Sequence, residues 1–114
     1  MTFTTTLEQT ENIAKIALSG ELDASTAPAF KAEIEKAALG NPKKLILLMQ
    51  DLDYMSSAGL RVLIFAKQKM GIGVDIYVVA PQEMVLDTLE KTGFHHSVVV
   101  MNEYDEAVVK GNRE

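Results

Sequence analysis

Two adjacent serines, Ser56 and Ser57, stand between a short apolar run, residues 45–49, and a stretch of helical periodicity that continues to about residue 70. A hydroxyl at a helix start can do two kinds of work. It can cap the helix by accepting a backbone N–H. If it points to solvent, it can instead be phosphorylated, and the unpaired N–H groups and partial positive charge there suit the resulting anion. A wheel of roughly 100° per residue separates the two serines. Leu60, Leu63, Ile64, Ala66 and Met70 share a broad face expected to pack on a sheet, with Lys67 inside it and its ammonium reaching out. Ser57, Ala58, Arg61, Phe65, Gln68 and Lys69 share the other face. Ser56 falls with the core face and is placed to cap. Ser57 is the exposed serine, with Arg61 one turn below it and Phe65 as a candidate contact residue. The plainer reading of the same residues is two capping serines and an ordinary surface aromatic.

Other residue types near these serines admit other chemistry. Gly59 in the first turn costs up to about 1 kcal/mol relative to Ala. It would permit either a partner's close approach or close packing of helix on strand. Asp23, Asp51 and Asp53 are expected near the carboxyl ends of strands, the edge where open α/β sheets build sites. Three carboxylates there could bind Mg²⁺ or accept a phosphoryl group, as in a small α/β enzyme, or simply be loop acids and caps. Asp23 is expected to serve docking more than folding. A hydrolase elbow needs glycine two residues before its serine, and Met55 occupies that place. His95 and His96 are adjacent, which on an ordinary backbone prevents both from facing one metal. Gly71 and Gly73 lack the third glycine of a phosphate-cradling loop. The chain therefore reads as a module that is acted upon and is not an enzyme, with no catalytic residue, no cofactor and no metal.

Composition narrows the partners. A length of 114 residues is that of one domain, 1–114, and 47% hydrophobic residues suffice for a core without staples. A net charge of −5 disfavours nucleic acid and anionic membrane surfaces, where Lys and Arg dominate binding. A protein partner fits better. With no cysteine there are no disulfides and no thiolate chemistry. The first residues lack the basic and apolar regions of a signal peptide, and no apolar run approaches the ~20 residues of a membrane span. A cytoplasmic protein is expected.

The elements that must position the serines follow from periodicity. Residues 3–9 alternate as an edge-type strand, and residues 13–19 form a second, with Ala14, Ile16 and Leu18 on one side and Lys15 on the other. Residues 20–23 leave that strand. Ser25, Thr26 and Pro28 open a helix that Gly40-Asn41-Pro42 ends. Residues 44–49 suit a strand covered on both faces. The second helix spans about 57–70. A strand at 74–80 follows, then a helix from Pro81 to Gly93 with Met84, Val85, Leu86 and Leu89 as its apolar positions. A strand at 97–101 and a short helix from Asn102 through Val109 close the chain. The order β-β-α-β-α-β-α-β-α implies an α/β fold: a mixed, mostly parallel sheet opened by a β-hairpin, with about four helices.

Two stretches resemble the STAS domain, the fold of bacterial anti-sigma factor antagonists. One is Leu18-Ser19-Gly20-Glu21-Leu22-Asp23 with the helix after it, and the other runs from Asp51 through Ser56, Ser57, Ala58 and Gly59 to Leu60. The resemblance covers nearly the whole chain and implies a single STAS-like domain. It also implies a binding module that cycles between free and serine-phosphorylated forms. The free form would bind an anti-sigma factor that is itself a serine kinase, releasing the sigma factor. Phosphorylation would eject it, and a serine phosphatase would reset it. The implied acceptor, two residues before the motif glycine, is Ser57. The family often has Asp just before the acceptor; Ser56 stands there and is a second candidate acceptor. Asp23, Ser56, Gly59, Arg61 and Phe65 are the implied surroundings of the docking surface. A non-switching scaffold or lipid-transport subunit is the alternative on the same fold. Oligomeric state is left open.

Overall fold

The computed structural model describes residues 3–10, 12–71 and 73–104. Strand β1 (Thr4–Thr10) turns back on β2 (Ile13–Leu22) as an antiparallel hairpin with Thr10 opposite Ile13. Along β2 every second residue is buried, as alternation requires when one face meets the core. Three parallel strands follow on the other side: β3 (Lys44–Met55), β4 (Asp75–Val79) and β5 (Val99–Met101). The sheet order is β1-β2-β3-β4-β5. Helices α1 (Ala27–Leu39), α2 (Ser57–Met70) and α3 (Glu83–Thr92) make the crossovers.

A chain that always steps the same way across its sheet by right-handed crossovers puts every connecting helix on one face. The core agrees. Ala14, Ile16 and Leu18 of β2, Leu45, Leu47 and Met49 of β3, and Ile76 and Val78 of β4 pack with Phe30 and Ile34 of α1, Leu63 of α2 and Leu89 of α3. The opposite parity, Ile46, Tyr77 and Val79, forms a smaller cluster on the far face, flanked by Leu48, Met101 and Tyr104. Burial on both faces explains the unbroken apolar run of β3. Asn102 to Tyr104 are not helical, and the rest of the helix expected there, from Asp105 to Val109, lies outside the described residues.

Both strands that lead to the serines run farther than periodicity indicates. β2 continues through Gly20 to Leu22, and β3 continues past Met49 to Met55. For β3 the reason is a pair of irregularities in its parallel register with β2. Ala17 faces Leu48, but Ser19 faces Asp51; Gly20 faces Leu52, but Glu21 faces Tyr54. β3 thus carries two extra residues, each a bulge. Its inward residues become Met49, Leu52 and Met55, three apart instead of two, and Gln50, Asp51, Asp53 and Tyr54 face outward. Alternation is lost, so the segment does not read as strand. Asp51 and Asp53 lie within β3 and not in a loop beyond it. Helix α3 also differs from expectation: Val85 and Leu89 are buried, but Met84 is 60% exposed, one position off the single stripe that meets the sheet.

Candidate functional site

The paired ends of β2 and β3 bring two strand-to-helix transitions side by side. Leu22 faces Met55 in the register, and the Ser56 N–H donates to the Leu22 carbonyl at 2.9 Å. That bond sets the Asp23 loop next to the start of α2.

On the β2 side the polar groups satisfy one another. The Asp23 carboxylate accepts from the Ser25 N–H at 2.9 Å, the Ser25 hydroxyl at 2.7 Å and the Thr26 N–H at 3.2 Å. The Thr26 hydroxyl donates to the Glu21 carbonyl at 2.9 Å and accepts from the Asp23 N–H at 2.8 Å. The hydrogen bond from the Ser25 hydroxyl, ahead of those from the backbone N–H groups, holds the Asp23 carboxyl below the usual carboxylate range, against an opposing effect of burial. Asp23 thus organises the turn into α1, contrary to the expectation that folding makes little use of it.

On the β3 side only one serine is engaged. Ser56 is half-buried and has the extended backbone of an N-cap, and its hydroxyl accepts from the Ala58 N–H at 3.2 Å. Ser57, the first residue of α2, is exposed, and among the described residues its hydroxyl has no hydrogen-bond partner.

Two of the surrounding residues, Phe65 and Ile64, sit otherwise than the wheel indicates, and a third, Gly59, serves a different purpose from the docking role expected of it. Gly59 is buried and faces inward. A Cβ added there would lie 2.7 Å from Leu22 Cγ and 2.8 Å from Met55 Cγ. The glycine serves the packing of helix on strand, and the reading of it as a point of close approach for a partner is corrected. Phe65 is half-buried against the core in the α1–α2 seam, with the Lys31 ammonium 4.7 Å from its ring centroid, so it is not on the exposed stripe. Ile64, expected in the core, is 39% exposed. The buried Val62, assigned to neither face in the sequence reading, is the signal that would have found this, because it rotates the apolar face away from Ile64. The outer stripe of α2 is therefore Ser57, Arg61, Ile64 and Gln68. Lys67 reaches out of the core face and donates to the Ser97 carbonyl at 3.0 Å.

The acids of β3 have a structural setting too. The Gln82 amide, just before α3, donates to the Gln50 carbonyl at 2.8 Å and lies 3.4 Å from Asp53 Oδ1. Among the described residues no three His, Cys, Asp or Glu side chains are grouped to hold a metal ion. The imidazoles of His95 and His96 lie against each other, centroids 3.9 Å apart, in the 3₁₀ turn after α3. Among the described residues no helix is long and apolar enough to cross a membrane.

Comparison with known proteins agrees with this architecture. The STAS domain family profile matches residues 4–107. The anti-sigma-F factor antagonist RsfB of Mycobacterium tuberculosis is 30% identical over 77 residues, which cover 68% of this chain and only 63% of that protein. An anti-sigma factor antagonist from Mycobacterium paratuberculosis superposes with a TM-score of 0.86 at 25% identity, over 96% of this chain and 95% of that one. SpoIIAA in its unphosphorylated form gives 0.81 at 21% identity, over 97% of this chain and 100% of that one. The phosphorylated form of SpoIIAA, from Bacillus, gives 0.73 at 19%, over 96% and 100%. At these identities the likeness to SpoIIAA is one of fold.

Proposed function

The chain belongs to the STAS domain family, and we propose that it is an anti-sigma factor antagonist switched by phosphorylation of Ser57. One observation carries the reading: at this sheet edge the hydroxyls of Ser25, Thr26 and Ser56 are all engaged, and that of Ser57 is exposed at a helix start. The relatives named as anti-sigma factor antagonists give the partner class.

In this reading the free form docks on a cytoplasmic anti-sigma factor that is also a serine kinase, and the sigma factor is released. The docking surface comprises the outer stripe of α2, with Arg61 and Ile64, and the adjoining Asp23 loop. The kinase transfers the γ-phosphoryl group of ATP to Ser57 Oγ. The new P–O bond forms as the bond to ADP breaks, and the hydroxyl proton passes to a base of the kinase. A phosphatase restores the hydroxyl by hydrolysis. This chain contributes the acceptor and the surface, and the catalysis belongs to its partners.

The charge change explains ejection. Phosphate brings about −1.5 to −2 charges at neutral pH. The fold tolerates them, because a helix start favours an anion by ~0.3–1 kcal/mol. The partner must bury them, and an uncompensated buried charge costs several kcal/mol, with about 1.4 kcal/mol per tenfold in affinity. Incubation with the cognate kinase and ATP, followed by peptide mass spectrometry, tests the assignment. Phosphate on Ser57 is the expected product. Phosphate confined to Ser56 would overturn it.

A further inference from the structure

Helix α2 carries three cations, Arg61, Lys67 and Lys69, and no acidic residue. A helical side chain meets its neighbours three and four positions away. For Arg61 these are Ser57, Ala58, Ile64 and Phe65, and only Ser57 can acquire a negative charge. Arg61 is exposed, and the ion pairs of the described residues, Lys36–Glu33, Lys44–Asp75 and Lys91–Asp87, do not involve it.

We propose that Arg61 is a built-in receptor for the phosphate on Ser57, closing an intrahelical phosphoserine–guanidinium bridge across one turn of α2. The inference rests on the reading of Ser57 as the acceptor. Three features support the geometry. Positions i and i+4 place the two Cβ atoms about 5–6 Å apart, within reach of a long guanidinium side chain. The polarity is the favourable one, anion towards the amino end and cation towards the carboxyl end. Guanidinium also matches phosphate with two parallel N–H···O bonds, which ammonium does not.

The bridge gives the switch a second component. Phosphorylation adds charge to the docking face and at the same time withdraws Arg61 from it. The bridged pair keeps a net charge of about −0.5 to −1, and the surface loses the cation that a partner's acid could meet.

The test installs phosphoserine at position 57 during translation by stop-codon suppression, so that no kinase is needed. The second ionisation of the phosphate is then followed by ³¹P resonance against pH. Asp23, across the Leu22–Ser56 bond, and Lys31, over the Phe65 ring, are both unchanged in the comparison with Arg61→Gln. An opposite charge favours the dianion, so the phosphate of the unsubstituted chain should titrate roughly 0.2–0.4 pH unit lower than in Arg61→Gln. The gap should close near 1 M salt, where the screening length is about 3 Å. Arg61→Lys should keep part of the gap. The Arg61 Nε–H resonance should also move when the phosphate becomes a dianion. Superimposable titrations of the unsubstituted chain and Arg61→Gln would overturn the bridge and leave the switch intact. Failure of the kinase to modify Ser57 would instead remove the switch and leave the bridge measurable.

Discussion

Two strand-to-helix transitions lie side by side at one edge of the sheet, and they treat their hydroxyl groups in opposite ways. At the entry to α1, Asp23, Ser25 and Thr26 form a closed circle of hydrogen bonds that reaches back to Glu21. At the entry to α2, Ser56 caps the helix and Ser57 is left facing solvent. The sequence offers similar residues at both places, a run of small polar side chains after a strand. The difference lies in the partners. A carboxylate at Asp23 supplies several acceptor sites at once and gathers the neighbouring donors. No acid stands beside Ser57 in the chain: Ser56 precedes it and Ala58 follows it. A hydroxyl is available for chemistry where its surroundings give it nothing else to do.

The largest effect should come from the residue that holds the two transitions together. Gly59→Ala places a methyl group against Leu22 and Met55 at less than van der Waals distance. Leu22 is fully buried and has little room to yield, so the overpacking should cost ~1–3 kcal/mol, partly offset by alanine's better helix propensity. Chemical denaturation would measure it. An unchanged midpoint would mean that the two turns approach less closely than described, and the contrast between them would lose its geometric basis.

The next test separates the two serines. Ser56→Ala removes a cap and should cost about 1 kcal/mol. Ser57→Ala removes a hydroxyl without a partner and should stay within about 0.5 kcal/mol of the unsubstituted protein. Equal losses would show that Ser57 is structural and that the two transitions are alike after all.

The smallest effect concerns the closed turn. The folded-state pKa of Asp23 lies below its ordinary value of 3.8. Its bonds therefore add stability above the unfolded-state value and lose it as pH falls through the lowered folded-state value. The stability difference between the unsubstituted chain and Asp23→Ala should be constant above pH 3.8 and shrink below it. A difference that ignores pH would mean that the carboxylate does not organise this turn in solution.

The order of elements was legible in the sequence, because the alternation of β2 and the doubly covered run of β3 leave clear periods. The exposure of Ser57 was legible too, since it rests on helical spacing alone. The reach of β3 to Met55 was not. Two bulges convert its period from two to three, and a bulge depends on a neighbouring strand that local pattern does not contain. The swapped roles of Ile64 and Phe65 arise at the margins of the buried face, where a shift of a few tens of degrees decides which side chain meets α1. Gly59 was legible as unusual, but only the positions of Leu22 and Met55 tell why.

The bulged end of β3 has a consequence for the surface that leads up to α2. A regular strand with one buried face has one outward position for every inward one. Here each inward anchor, Leu52 and Met55, is preceded by a pair of outward residues, Gln50 and Asp51, then Asp53 and Tyr54. The segment that leads into the helix thus carries two outward positions for every inward one. Substitution at these four positions can recast the exposed surface leading up to α2 while Leu52 and Met55 stay anchored in the core.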